Sequence, residues 1–233
     1  MYFTKQIAYS RAGARVRDLD IRTELRNSLK AIFEGDPRAL LIDELALCEG
    51  EARIDLALIN GTLIGFEIKS ERDTLSRLDE QVRIYNRTFD KVTIVVSSKH
   101  LKAVSTRVPE WWGITEAIDR DGRTFLGIVR EPLRNPAPDP FSIAQLLWRD
   151  ELLEELKAVG VLRGIANKPR RDLWRRLADA LDLDALRDVV RTRLKARGDW
   201  RSAPQQPSND AQCQPSATSL DSQFPPYCWR TAE

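Results

Sequence analysis

Apolar positions along the first 130 residues follow two periods, one helical and one of strands. Ile21, Leu25, Leu29, Ile32 and Phe33 recur at helical spacing, which predicts a helix capped by Asp20 and closed before Gly35-Asp36-Pro37. Three strand-like runs follow: 39–47, 52–59 and 62–69. Asp73 is then placed to cap a second helix with the stripe Leu75, Leu78, Val82, Tyr85 and Phe89. The β-branched run KVTIVVS, 91–97, reads as a strand covered on both faces. A helix over 99–107 and strands over 114–118 and 124–129 complete the set. The order implies an α/β fold, a mixed sheet flanked by helices.

After residue 130 the pattern changes. EPLRNPAPDP holds four prolines in ten residues and reads as a linker. SIAQLLWRDELLEELKAVG and DLWRRLADALDLDALRDVVRTRLKARGDW are amphipathic helical stretches. The polar, proline-containing stretch 202–233 is expected to be disordered. The expected organisation is an N-terminal arm 1–17, a core 18–133, a linker 134–140, a helical annex 141–201 and a tail 202–233.

Strand registration decides where the charges of RIDLALINGTLIGFEIK fall. A two-residue turn at Asn60-Gly61 would put Asp55 on the same face as Ile64 and Phe66. A three-residue loop Ile59-Asn60-Gly61, with Gly61 left-handed, pairs Leu58 with Thr62 and residues of like parity. Ile54, Leu56, Leu58, Ile64, Phe66 and Ile68 then share an apolar face, and Asp55, Glu67 and Lys69 share the other. A one-residue slip exchanges the faces, so the second register is expected.

Composition narrows the chemistry. With 233 residues and 42% hydrophobic content, one substantial core and a smaller annex are expected. The Met1 end has no apolar run of signal-peptide length and no stretch matches a membrane span, so a cytoplasmic protein with no membrane partner is expected. Three cysteines without a CxxC pair, and His100 as the single histidine, argue against zinc. A metal would have to be held by carboxylates, which favours Mg2+ or Mn2+. The net charge of +2 hides an asymmetry: residues 157–201 carry thirteen Lys or Arg against six Asp or Glu. Such a basic segment is either a solvated face or an electrostatic footprint for nucleic acid.

Two carboxylates and a lysine on one sheet face suit phosphodiester cleavage, which needs an ion at the phosphate, a positioned water and a cation to orient it. The plain alternative is an ion-paired solvent face. A bare E-x-K triplet decides little, since Glu155-Leu156-Lys157 is another. Context separates the two: the first has a strand-borne Asp55 before it, Glu44 on the preceding strand, Glu24 on the leading helix and a helix directly after.

That arrangement resembles the PD-(D/E)xK, or restriction-endonuclease-like, nuclease superfamily over residues 18–133, and most closely a bacterial and phage branch for which membership supplies no substrate. The resemblance implies an αβββαβ core and magnesium-dependent hydrolysis of nucleic acid, DNA first, in defence or DNA processing. It implies Asp55 and Glu67 as motif acids and Lys69 as the motif lysine. Glu44, Glu24 and the Ile68 carbonyl would be further metal ligands. Gln81 and Tyr85, in DEQVRIY, match the Gln-x-x-x-Tyr element of RecB-like branches, and Ile54 replaces a nominal proline.

Duller readings stand beside these. Glu24 fits the polar face of a surface helix, Asp43 competes with Glu44, and Tyr85 belongs to an apolar stripe. Trp111, Trp112 and Trp174 suit base stacking or burial. Arg77, Lys168, Arg170, Arg171 and Arg175 are candidates for phosphate contact. The remaining function classes are a non-catalytic nucleic-acid-binding module and a protein-interaction module, with the annex facing a partner protein or a second copy. No P-loop is present.

Overall fold

The computed structural model describes residues 16–36 and 38–197. The expected tail and nearly all of the expected N-terminal arm lie outside the described residues. The order is α1 (Asp18–Ile32), β1 (Leu40–Leu47), β2 (Ala52–Ile59), β3 (Leu63–Lys69), α2 (Leu78–Thr88), β4 (Lys91–Ser97), α3 (Ser98–Ser105), β5 (Gly113–Arg120) and β6 (Arg123–Arg130). Among the described residues four further helices follow: α4 (Pro140–Ala144), α5 (Arg149–Ala158), α6 (Arg170–Ala180) and α7 (Leu183–Ala196). The strands form one mixed sheet in sequence order. β3, β4 and β5 run parallel to one another, and the other neighbours are antiparallel.

Helices cover both faces of this sheet, because each face carries apolar side chains that must leave water. Leu56, Leu58, Phe66, Ile68 and Val95 pack beneath Ile21, Leu25 and Leu29 of α1. Ala57, Ile59, Leu63, Ile94 and Val96 point the other way, into a larger core with α2 and the C-terminal helices. No described helix is long and apolar enough to cross a membrane.

Two expected caps act differently. Asp20 is the third residue of α1, and its carboxylate reaches back to the Arg17 N–H at 3.3 Å. Asp73 accepts from Ser70 N at 2.7 Å and Ser70 Oγ at 2.6 Å, closing a turn after β3. A carboxylate engaged with a preceding residue does not cap a later helix, and α2 begins only at Leu78.

The β2–β3 hairpin keeps the expected parity but not the expected loop. Ile59 pairs with Leu63 and Leu58 with Ile64, so the loop is Asn60-Gly61-Thr62, with Gly61 at φ 69°. Burial of Ile59 extends the strand by one residue. Ile54 also departs from the even-numbered face and packs with Leu45 in the larger core. The cause is an irregularity in the β1–β2 ladder: Glu44, opposite Asp55, takes a left-handed φ of 54° between the pairs Asp43↔Leu56 and Leu45↔Ile54.

The stretch 134–140, expected as a linker, is a fixed strap. Asn135 donates from Nδ2 to the Asn86 and Phe89 carbonyls at 2.7 and 2.8 Å, and from its N–H to Asp90 O at 2.7 Å. Asp139 N donates to Arg87 O at 2.9 Å. The helices beyond it do not form a separate annex: Leu147, Trp174, Leu177, Leu186 and Val190 share one core with the sheet. The buried Asp90 carboxylate accepts from Leu63 N at 2.8 Å and lies 2.7 Å from Arg187 Nε of α7, tying the two parts by charge.

Candidate functional site at the parting of β2 and β3

β2 and β3 pair up to Leu56↔Phe66 and then separate. Past that pair, the Ile68 N–H donates to Asp55 Oδ2 at 2.7 Å, so a carboxylate enters the gap where the two strands part. The other Asp55 oxygen accepts from Arg22 Nη2 at 2.8 Å, while Arg22 Nη1 donates to the Asp55 carbonyl at 2.8 Å. Burial raises the Asp55 carboxyl above its ordinary value, and the Arg22 charge opposes that rise.

Arg22 gathers more than Asp55. Its Nη2 lies 3.1 Å from Glu44 Oε1, and its Nε 3.4 Å from Asp18 Oδ1 one turn earlier. Arg53 Nε meets the other Glu44 oxygen at 2.6 Å. The left-handed backbone at Glu44 is uncommon for a residue with a side chain and accompanies this placement. Of the two competing acids, Glu44 shares Arg22 with Asp55, and Asp43 is paired with Arg26.

Glu67 is 3% exposed and faces α2. Its Oε1 accepts from Lys69 Nζ and Gln81 Nε2, both at 2.6 Å, and its Oε2 from Tyr85 Oη at 2.7 Å. Burial first, and the Asp55 charge second, push Glu67 up to about 7. Three donors cannot fully offset removal from water beside another carboxylate. Tyr85 is raised well above its usual value by burial and then by Glu67. Gln81 and Tyr85 stand one turn apart and both reach the acid. Tyr85 also stacks on Trp112 with centroids 6.0 Å apart, so it serves packing and site together.

Other candidates fall elsewhere. At roughly 100° per residue, Arg22 and Arg26 sit on one flank of the buried stripe Ile21, Leu25, Leu29 and Glu24 on the other. Glu24 contacts Ser28 Oγ at 3.5 Å and is not brought to Asp55. Ile68 meets Asp55 through its N–H rather than its carbonyl. Glu155 of the second triplet pairs with Arg193 on α7. Trp112 and Trp174 are fully buried, which removes them as stacking platforms. Arg170 is buried against the Trp174 ring at 4.8 Å, with Glu49 at 3.9 Å, and is a packing residue rather than a surface cation. Arg77, Lys168, Arg171 and Arg175 are exposed. Much of the expected basic charge is neutralised: Arg187, Arg193 and Arg197 are paired with Asp90, Glu155 and Glu151.

Asp18, Arg22 and Arg53 were not among the expected site residues. The signal for the first two is their i, i+4 spacing beside the α1 stripe, which puts an acid and an arginine on the flank facing β2.

Among the described residues, no three His, Cys, Asp or Glu side chains are gathered as a metal-holding group. The donor chemistry nevertheless suits a hard cation, since Asp55, Glu67 and Glu44 offer carboxylate oxygens only. Gln81 Oε1, buried next to Glu67, has no hydrogen-bond partner, which leaves an acceptor available to a bound ion's water.

Fold and site define a mixed α/β protein with a buried carboxylate–lysine cluster at a strand parting. The chain belongs to the family described as Bacteriophage P4 protein cII, whose model matches residues 13–205. Protein cII of Enterobacteria phage P4 is 34% identical over 159 residues, which is 68% of this chain. The chain spans 60% of the length of that relative. A solved structure, a protein of unknown function from Silicibacter pomeroyi, aligns with 66% of this chain and 98% of its own at 16% identity, with a TM-score of 0.39.

Proposed function

We propose that this site hydrolyses phosphodiester bonds in nucleic acid, with DNA as the first candidate, using Mg2+ or Mn2+ on a restriction-endonuclease-like αβββαβ core. The observation that carries the reading is the meeting of Lys69 and Glu67, at 2.6 Å, beside Asp55 in the gap between β2 and β3. Asp55 and Glu67 are the acids that would hold the cation, with Glu44 sharing Arg22 with Asp55. The bound ion would neutralise charge on the scissile phosphate and the leaving oxygen. Gln81 and Tyr85 fix the Glu67 carboxylate from α2, so it need not reorganise during reaction. Lys69, 6% exposed, presents an ammonium beside Glu67, placed to orient an attacking water and to stabilise developing negative charge.

One observation favours a second reading, a nucleic-acid-binding or protein-interaction module without catalysis. Arg22 and Arg53 already neutralise Asp55 and Glu44. Cleavage of labelled single- and double-stranded DNA and RNA, with Mg2+, Mn2+ or chelator, separates the two. Wild type is expected to cut in metal and stop in chelator. Asp55→Asn and Glu67→Gln are expected to lose cation binding and cleavage together, whereas Lys69→Ala keeps much of the binding and loses cleavage. A pure protein that binds DNA and cuts none of the four substrates supports the module.

A further inference from the structure

Arg22 faces three acids with one charge. Its guanidinium donates to the Asp55 carboxylate and carbonyl at 2.8 Å each, lies 3.1 Å from Glu44 and reaches Asp18 at 3.4 Å. Both Asp55 oxygens are engaged, since the second one accepts from the Ile68 N–H. Of these two partners, the Ile68 N–H belongs to a strand and cannot leave without moving backbone. The arginine side chain can rotate away. Lys69 is engaged with Glu67, so the exchangeable cation at Asp55 is Arg22.

Resting on the reading of Asp55 and Glu67 as cation-binding acids, we infer that Arg22 is the resident counter-cation of this pocket and that a divalent ion binds by displacing its guanidinium from Asp55 and Glu44. Without Arg22, three acids from α1, β1 and β2 would face one another across a partly buried gap, a costly arrangement. With it, the pocket is stable before any ion arrives, and part of the ion's binding energy is used in releasing the arginine. Asp18, one turn away on the same helix, keeps the released guanidinium nearby. The neighbouring Arg26, paired with Asp43, is the control: it lies one turn further along the same flank and does not contact Asp55.

The test is calcium binding by titration calorimetry, with thermal unfolding in chelator and in calcium, for wild type, Arg22→Met, Arg22→Lys and Arg26→Met. In chelator, Arg22→Met is expected to unfold at a lower temperature than wild type. In calcium it is expected to bind at least tenfold more tightly and to gain the larger rise in unfolding temperature. Arg22→Lys keeps the charge but not the forked contact with Asp55 and Glu44. A gain of several-fold in that variant shows release of the guanidinium rather than loss of a repelling charge, and it carries the test alone if Arg22→Met does not fold. Arg26→Met is expected to bind as wild type. Equal or weaker calcium binding by the Arg22 variants overturns the inference while leaving the cation site intact. Absence of binding by wild type and all variants overturns both the inference and the cation reading beneath it.

Discussion

Tyr85 Oη stands 2.7 Å from Glu67 Oε2 and is the donor to that oxygen, while Lys69 and Gln81 both serve Oε1. The phenol comes from a helix and the acid from a strand eighteen residues earlier. Their contact therefore measures how firmly α2 is set against the strand gap. Removing the hydroxyl leaves a buried, charged acceptor without its donor, which costs about 1–3 kcal/mol. Tyr85→Phe is expected to lose that much in urea unfolding at pH 8, and less at pH 5, where Glu67 carries its proton. An equal loss at both values would mean that packing, not the hydrogen bond, is the tyrosine's contribution.

Glu67 also sets a pH dependence. Its native value of about 7 lies above its ordinary value of 4.5. The native carboxyl thus holds a proton over a range in which the unfolded chain has released it. Stability from this group is fully present below about pH 4.5, falls as pH rises and is gone above about pH 7. Against Glu67→Gln, which does not titrate, the stability of wild type is expected to decline steadily from pH 5 to 7 and then level off. Cation binding should show the opposite trend, strengthening up to about pH 7 as the proton leaves.

Gly65 packs against Ile54 of β2 and against Phe89, the residue that closes α2. A Cβ there would lie 2.5 Å from Ile54 Cδ1 and 3.2 Å from the Phe89 ring, in the layer beneath the site. Ile54 is fully buried, so the side-chain end that must shift is already packed in the core. Gly65→Ala is expected to destabilise by about 1–3 kcal/mol through overpacking. Calorimetric unfolding reads this directly, and an unchanged melting temperature would show that the layer can give.

The basic residues of the C-terminal helices divide by burial. Arg170→Ala should lower stability by about 2 kcal/mol, since it removes the guanidinium packed on Trp174. Lys168→Ala and Arg171→Ala, at exposed positions, should change stability by less than about 0.5 kcal/mol, and Arg175→Ala, whose guanidinium lies 5.8 Å from the Phe141 ring centroid, by about 0.5–1 kcal/mol. Should the surface hold nucleic acid, each of these three would flatten the salt dependence of binding by about one counterion. Unfolding curves and DNA titrations at several salt concentrations check both halves.

Period and parity, which are local properties of the chain, determined a good deal. The alternation in RIDLALINGTLIGFEIK placed Asp55, Glu67 and Lys69 within one hairpin, and Gly61 specified its turn. The β-branched run 91–97 declared a strand covered on both faces, and the four-residue spacing of Gln81 and Tyr85 put both on one side of a helix. Tertiary structure decided the rest. Glu44 shares Arg22 with Asp55 from a left-handed backbone, and no propensity of Glu predicts that. Arg22 rather than Glu24 faces the pocket because α1 rolls until Ile21, Leu25 and Leu29 are buried, a choice made by the sheet beneath it. The prolines of 134–140 marked a break in secondary structure but not a boundary, since Asn135 finds its carbonyl partners only in the folded chain. The basic count over 157–201 promised a charged surface, yet Asp90, Glu151 and Glu155 claim several of those arginines. Charges act through distance in space, and distance in space is what a linear pattern does not contain.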